Sequence, residues 1–269
     1  MLQYRDIKAV IHELGIEREE PAIVYASSHL IPQVRGGVQT ILGAVLGSID
    51  NILMPAFTFQ TMVIPEFGPP DNLVSYGSGR ISNLDATIFT PELPADFEDA
   101  PISEVFRAYP DVTRSCHPIF SFLGLGLDSA LVAQTIDDPY GHIRHLRAMN
   151  TKIVTLAKDA SAFFSLHFSE RQSGRKQFIR WALTQEGIQE CPHFPGCSKG
   201  FHKILYHLDG IIMKTQIADM PCMSVSLDQL LSTAQSLLEQ DPYALLCNDL
   251  QCEQCNAVRK DIRQRGKGR

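Results

Sequence analysis

The chain has 269 residues, of which 44% are hydrophobic and 20% are charged, and its formal net charge at pH 7 is -6. This length and composition are typical of a globular protein with one large domain or two closely joined halves. The negative net charge provides no basic field of the kind that binding to nucleic acid requires. We therefore expect no nucleic-acid partner.

The N-terminus mixes Arg5, Asp6 and Lys8 into its apolar positions, which excludes the pattern of a secretory signal. The longest apolar run, residues 41–46, is far shorter than the length of about 20 residues that a membrane helix needs. We therefore expect a cytoplasmic protein with no membrane contact. In that compartment, the seven cysteines favour free thiols or a metal site over a disulfide framework.

Helices and strands alternate in the first part of the chain. Residues 4–14 carry apolar side chains at the spacing i, i+3, i+4, i+7, which predicts an amphipathic helix ended by Gly15. Residues 21–26 and 51–55 are short apolar runs typical of buried strands, and residues 38–47 between them predict a second helix. This alternation indicates an α/β architecture.

The middle of the chain loses this periodicity over residues 61–100, which contain five prolines. A long irregular segment is more often functional than structural, so we predict an ordered loop beside a substrate cleft. No linker separates independent domains, and we predict one domain over 1–269 with a cysteine-bearing C-terminal portion at 185–269. The later predicted elements are helices at 102–109 and 227–239, strands at 120–127, 152–156 and 178–183, and a turn or helix start at 163–170.

Three short motifs concentrate the candidate chemistry. Residues 114–122 read RSCHPIFSF, residues 138–146 read DPYGHIRHL, and residues 165–170 read SLHFSE. In this order they resemble the aminoglycoside 3-N-acetyltransferases, whose stretches run roughly R-S-x-H-P-x-x-S-F, P-[YFL]-G-x-x-S-P-L and T-x-L-H-x-x-E. The S-S…G-G element at 27–37 and the M-P-A-F-T run at 54–58 resemble two further motifs of that family.

The resemblance covers roughly residues 1–205 and implies a central mixed sheet flanked by helices. It also implies transfer of an acetyl or other acyl group from a thioester to a primary amine of a small molecule such as an aminoglycoside. Acetyl-CoA is the first expected donor. The resemblance leaves the oligomeric state open, with a homodimer as one alternative.

A transfer of this kind needs a neutral amine, because a protonated amine has no lone pair with which to attack. An imidazole that removes the proton typically contributes about 10²–10⁴-fold in rate. His167 is the candidate general base, and Glu170 is expected on the same side of a helical turn, where it would hold the imidazole or bind a cationic amine. The alternative is a hydrogen-bonded core histidine, since Leu166 and Phe168 flank it.

Serine hydroxyls and backbone N–H groups are candidates to stabilise the oxyanion of the tetrahedral intermediate. A His-Pro step is stiff, so His117 is expected to shape the donor loop and not to shuttle protons. The donor-binding set implied by the resemblance is Ser27, Ser28, Arg114, Ser115, His117 and Ser121.

Several positions depart from the family pattern near the expected coenzyme A arm. Arg144 and His145 stand where the family has Ser-Pro, and Lys158, Phe163 and Phe164 stand where small or hydroxylated residues are usual. These departures favour two alternatives beside acetyl-CoA. One is a biosynthetic acyl- or aminoacyl-transferase that uses an acyl carrier protein thioester, and the other is a non-catalytic, zinc-stabilised homologue.

The cysteines suggest a second site. A C-x₂-C pair lies near the C-terminus, and another pair flanks a Pro-His-Phe-Pro-Gly turn, so four thiolates can form a structural zinc site that clamps the C-terminal portion. The alternative is reduced cysteines that pack as small apolar groups. The predicted ligands are Cys191, Cys197, Cys252 and Cys255, with Cys247 or His193 as substitutes.

Two charged segments complete the sequence. Residues 259–269 are rich in Lys and Arg and are predicted to form a frayed, solvated terminus. The acidic residues of the long loop either attract a polycationic acceptor or form a solvated face. They are Asp71, Asp85, Glu92, Asp96, Glu98 and Asp99.

Overall fold

A computed structural model describes residues 1–266 of the chain. Its strands are β1 (Ala22–Ala26), β2 (Ile52–Pro55), β3 (Met62–Val63), β4 (Thr113–Arg114), β5 (Phe122–Leu125), β6 (Lys152–Leu156), β7 (Phe178–Thr184), β8 (Gly187–Phe194), β9 (Met213–Ile217) and β10 (Met220–Ser226). Its α-helices are α1 (Tyr4–Glu13), α2 (Gly37–Leu46), α3 (Ala100–Arg107), α4 (Asp128–Val132), α5 (Gly141–Arg147), α6 (Leu166–Gln172), α7 (Leu227–Gln240) and α8 (Glu253–Gly266).

Seven strands form a mixed central sheet in the order β4-β5-β2-β1-β6-β10-β9. Strand β1 pairs in parallel with β2 and β6, and the outer strands pair antiparallel. The α/β class with a central mixed sheet and flanking helices is thereby confirmed.

Side chains of β1 alternate between two hydrophobic clusters, one on each face of the sheet. Helices pack against both faces and complete these clusters. Ala22 and Val24 pack in the cluster that also contains buried residues of α1, α2 and α3. Ile23 and Tyr25 pack in the other cluster, with buried residues of α4, α5, α6 and α7. All five residues of β1 are therefore buried, as is typical of a central parallel strand.

A second sheet, ordered β3-β7-β8, is antiparallel throughout and holds the long loop in place. Most of residues 61–100 are irregular, apart from β3 and a short 3₁₀ turn at Ser82–Asp85. The Asn72 side chain accepts from the Ile179 N–H at 2.8 Å and donates to the Ile179 carbonyl at 3.0 Å. These paired bonds fasten the loop to β7, so it is ordered.

The basic terminus differs from the prediction. Residues 259–266 belong to helix α8, whereas residues 267–269 of the predicted tail lie outside the described part of the chain. Helix α8 has few apolar residues, so its sequence lacks the periodicity that indicates a packed helix. Within residues 1–266, no helix combines the length and the apolar character that crossing a bilayer requires.

Candidate active site

His167 and Glu170 both belong to helix α6, and their side chains contact each other. Their spacing of three residues places both side chains on one face of the helix. The imidazole Nδ1 lies 2.6 Å from Glu170 Oε2. Both residues are buried, with 4% and 3% of their surface exposed, so this contact is shielded from competing water.

Arg175 extends the pair into a chain of three side chains. Its Nη1 donates to Glu170 Oε1 at 2.6 Å, and its Nη2 donates to the carbonyl of Pro242 at 2.7 Å and to that of Ala244. The guanidinium therefore provides the hydrogen-bond donor for the second oxygen of Glu170, and two backbone carbonyls fix its own position. The sequence did not indicate this residue, because its carbonyl partners lie far along the chain.

The hydrogen bonds fix the state of the His–Glu pair. Burial raises the pKa of the Glu170 carboxyl, but the hydrogen bonds and charges of His167 and Arg175 outweigh burial and bring the pKa below its ordinary value. An ionised carboxylate only accepts hydrogen bonds, so the proton belongs on Nδ1 of His167. Within residues 1–266 the imidazole uses Nδ1 alone, which leaves the lone pair on Nε2 able to take a proton.

This lowered pKa predicts a pH dependence of folding. The contribution of Glu170 is complete above its unfolded pKa of about 4.3 and is lost as the pH falls through the lower, folded pKa. We expect wild type to exceed Glu170→Gln in free energy of unfolding at pH 7, with the gap narrowing below about pH 4. Urea titrations from pH 7 to pH 3 measure this.

The matched control for that titration is Glu186→Gln, at an exposed turn between β7 and β8. It should follow wild type at every pH. A gap between wild type and Glu170→Gln that stays constant across the titration would contradict the assigned ionisation.

A cavity opens beside His167 at the carboxyl ends of β1 and β2, the edge where open α/β sheets usually bind ligands. Three aromatic rings form an apolar wall. The ring centroid of Phe57 lies 5.4 Å from that of Phe97 and 5.1 Å from that of Phe164. The polar side chains that line it belong to Tyr25, Asp99, Ser103, Lys158, Ser161, His167 and Ser198.

Two opposite charges meet in this cavity. The Lys158 ammonium contacts Asp99 Oδ2, and Asp99 Oδ1 accepts the Ser28 N–H at 2.8 Å. Glu98 Oε2 lies 3.9 Å from the same ammonium. Lys158 therefore neutralises acidic charge at the place where a cationic ligand would otherwise be attracted.

Two other loop carboxylates, those of Asp96 and Asp71, have structural partners. Both oxygens of Asp96 accept backbone N–H groups at 2.6 Å, from Phe59 and Gln60. Asp71 forms an ion pair with Lys260 of α8 at 3.0 Å. The acidic character of the loop sequence is thus used in part to fasten the loop.

None of the six predicted donor-binding residues lines this cavity. Ser115 Oγ accepts the Phe122 N–H at 2.8 Å and donates to Gln134 Oε1 at 2.5 Å. Arg114 Nε donates to Ser121 Oγ at 3.0 Å, and Ser121 Oγ donates to the Ala56 carbonyl at 2.8 Å. These three residues connect the ends of β2, β4 and β5 by hydrogen bonds.

His117 is also a scaffold residue. Its Nδ1 accepts the N–H groups of Ile119 at 3.1 Å and Phe120 at 3.0 Å, and burial lowers the pKa of the imidazole to about 3. The ring is therefore neutral and shapes the loop. Ser27 has a similar local use, because its Oγ accepts the His29 N–H at 3.2 Å and caps the 3₁₀ helix Ser28–Gln33.

The Pro-Tyr-Gly motif also serves packing. A Cβ on Gly141 would lie 1.7 Å from the Ala133 carbonyl oxygen, so only glycine permits this approach of two backbones. Asp138 accepts from Arg144 at 2.7 Å and from Arg171 at 2.5 Å. Arg144 is thus held away from the cavity.

Among the departures from the family pattern, Lys158 and Phe164 line the cavity. Arg144, His145 and Phe163 do not. The change in the chemistry of the cavity is therefore concentrated at two positions.

The cysteines group differently from the prediction. The sulfur atoms of Cys197, Cys247, Cys252 and Cys255 all lie within 4.8 Å of one another. Cys191 is 1% exposed and packs in the main hydrophobic cluster, away from this group. The fourth member of the group is therefore Cys247 and not, as the prediction had it, Cys191. The side chain of Cys191 belongs to β8, which pairs with β7 and keeps this thiol in the core.

The mixed sheet, the cavity at its strand ends and the buried His–Glu–Arg chain beside that cavity are typical of an α/β enzyme. A family model described as aminoglycoside 3-N-acetyltransferase matches residues 23–239, well over half of the chain. The chain belongs to the aminoglycoside 3-N-acetyltransferase family.

One sequence relative and two solved structures are similar to this chain. The chain is 26% identical over 175 residues to aminoglycoside N(3)-acetyltransferase IX of Micromonospora chalcea, and the match covers 61% of this chain and 60% of that relative. The YokD protein from Bacillus subtilis has a similar fold, with a TM-score of 0.77 at 19% identity over 90% of this chain and 94% of YokD.

A second solved structure, AAC-IIIb as a binary complex with CoASH, has a TM-score of 0.70 at 18% identity. The similarity covers 88% of this chain and 96% of AAC-IIIb. At these identities the two solved structures establish the shared fold.

Proposed function

We propose that the protein is an N-acyltransferase that moves an acetyl or other acyl group from a thioester to a primary amine of a small molecule. The observation that carries the proposal is the buried His167–Glu170–Arg175 chain, which leaves Nε2 of the histidine available beside a cavity. Family membership supplies the reaction class.

In the proposed reaction, Nε2 of His167 removes a proton from the acceptor amine as its nitrogen attacks the thioester carbonyl. A C–N bond forms, the tetrahedral intermediate collapses, and the C–S bond breaks. The imidazolium then returns the proton to the leaving thiolate. Glu170 stabilises the imidazolium between these two steps, because its carboxylate lies 2.6 Å from Nδ1.

Acetyl-CoA is the proposed first donor, supported by the relative AAC-IIIb that was solved with CoASH. Five of the six residues first expected at the donor use their side chains in hydrogen bonds within the fold, and the N–H of the sixth, Ser28, donates to Asp99. No oxyanion role is therefore assigned to them. An acyl carrier protein thioester is the second donor to test. Lys158 adds a cation and Phe164 adds a bulky ring to this cavity, at positions where the family pattern has small or hydroxylated residues.

The test is a transfer assay on purified protein with acetyl-CoA, an acyl carrier protein thioester and a panel of amines. Thiol release that depends on the amine, with a product heavier by one acyl group, is the expected result. Release without any acylated product would assign a thioesterase instead. Inactivity of a folded protein with every donor and amine would favour the non-catalytic alternative.

Lys158 offers a prediction about the acceptor. Lys158→Met removes the cation that neutralises Asp99, so the cavity gains net negative charge. We expect KM for a polycationic aminoglycoside to fall about fivefold, equivalent to about 1 kcal/mol for one partly exposed charge. Steady-state kinetics at low ionic strength measure the change.

Lys214→Met is the control for this prediction, because Lys214 is an exposed residue of β9 outside the cavity. It changes the net charge of the protein equally and should leave KM near wild type. An unchanged or higher KM in Lys158→Met would reject Lys158 as a determinant that disfavours cationic acceptors.

We also propose that the cysteines bind zinc for stability and not for catalysis. None of the clustered thiols lines the cavity beside His167. A metal held by four cysteines also has no open position for substrate.

A further inference from the structure

Four cysteines from two distant parts of the chain converge next to α8. Cys197 follows β8, and Cys247 lies between α7 and α8. Cys252 immediately precedes α8, and Cys255 lies in its first turn. Their sulfur atoms lie within 4.8 Å of one another, and all four are free thiols. A tetrahedral zinc with Zn–S bonds of about 2.3 Å separates its sulfurs by about 3.8 Å, so small side-chain shifts complete the site.

The surroundings fit the charge of such a site. A zinc ion with four thiolates carries a net charge of about -2, which favours nearby cations. Lys203 Nζ donates to the Leu246 carbonyl at 2.6 Å, and Arg259 contacts the Cys247 carbonyl. The Lys199 N–H points at Cys197 Sγ, 3.4 Å away, as a donor that stabilises a thiolate.

Apolar packing alone explains this cluster poorly. Only Cys255 and Val258 of α8 are buried, although the helix has 14 residues. The small hydrophobic cluster that it joins contains two further buried residues, Leu246 and Cys247. A helix with so little buried apolar surface requires another anchor, because hydrophobic burial supplies most helical stability in proteins.

We propose that Cys197, Cys247, Cys252 and Cys255 bind one zinc ion, which anchors α8 and the segment before it to the loop after β8. A Cβ on Gly200 would lie 2.2 Å from the Leu245 carbonyl oxygen, so the two segments already meet at their backbones. The metal closes this contact and converts a weakly packed C-terminal portion into part of the fold.

The same segments reach the site around His167. The carbonyls of Pro242 and Ala244, shortly before Cys247, hold Arg175, and Ser198, next to Cys197, lines the cavity. The zinc therefore supports the Arg175–Glu170–His167 chain from behind. This second step rests on the proposed function, whereas the metal site itself rests on the cysteine geometry alone.

The decisive measurement is metal content of the full chain purified without chelators, with Cys247→Ser and Cys191→Ser as the paired variants. We expect one zinc per wild-type chain, the same in Cys191→Ser, and loss of tight binding in Cys247→Ser. Cys116→Ser, an exposed cysteine outside the cluster, is a second control. Zinc lost from Cys191→Ser but kept in Cys247→Ser would overturn the ligand set.

Cobalt substitution tests the metal site in wild-type protein, so its result does not depend on whether a cysteine variant folds. Wild-type protein loaded with Co²⁺ should give the intense visible bands of a tetrahedral site and thiolate charge-transfer absorption. Wild type that binds neither Zn²⁺ nor Co²⁺ tightly, or whose four thiols resist titration in denaturant because they are paired as disulfides, would overturn the proposal.

Hydrogen exchange separates the metal site from the activity. Stripping zinc should increase exchange in residues 242–266 and then at Arg175, while strands β1 and β6 remain protected. This readout needs no substrate, so it holds or fails independently of acyl transfer. Unchanged exchange after complete zinc removal would reject the anchoring role.

Discussion

Replacing His167 with Gln should lower the turnover of amine acylation by about 10²–10⁴-fold, the usual contribution of a positioned general base. Glutamine keeps the approximate size and one donor toward Glu170, so the packing around α6 should survive. It has no basic nitrogen at the position of Nε2, and the amine proton then has no acceptor. Steady-state kinetics with the best donor and amine from the screen measure kcat and KM separately.

The control for this substitution is His12→Gln, on the exposed side of α1. It should retain wild-type turnover. Circular dichroism and thermal unfolding should show that both variants are folded. A folded His167→Gln protein with wild-type kcat would remove the histidine from the mechanism and return it to the role of a core residue.

The sequence predicts the contact between His167 and Glu170 because its geometry is local. A spacing of three residues on a helix brings two side chains together whatever the rest of the fold does, so His167 and Glu170 follow from the motif alone. Arg175 does not follow from it. Its partners are carbonyls near residue 243, and only the folded chain brings them to the arginine.

The donor set stays a prediction, although none of its six residues lines the cavity. A serine in a motif reveals a hydroxyl but not the direction in which it points. Ser115 and Ser121 both donate to neighbouring groups of the fold, so their hydroxyls are already used. The same limit applies to Cys191, because residue type and spacing do not reveal that strand pairing turns it into the core.

The regular elements show a similar division. Strand β6 is predicted at its observed bounds because its apolar residues Ile153, Val154 and Leu156 are buried between β1 and β10. Helix α7 is found because its leucines repeat with the helical period. Strand β9 and helix α8 carry few buried residues, so their sequences contain little of the signal that burial imposes.

Replacing Arg175 with Met should destabilise the protein by about 3–5 kcal/mol, the range observed when one member of a buried ion pair is removed. Arg175 is 6% exposed, and its methionine replacement offers no donor. Glu170 would keep a buried charge with one oxygen unpaired, and the carbonyls of Pro242 and Ala244 would lose their donor. Urea unfolding at pH 7 measures the loss.

The double variant Glu170→Gln with Arg175→Met distinguishes a charge effect from lost packing. Neutralising the carboxylate removes the uncompensated charge, so the double variant should be more stable than Arg175→Met alone. Arg5→Met, an exposed arginine on α1, should unfold like wild type. If Arg175→Met also unfolded like wild type, the hydrogen bonds from Arg175 to Glu170 would contribute nothing measurable to stability. The orientation of the imidazole would then have to come from its contacts with Phe164 and Phe201.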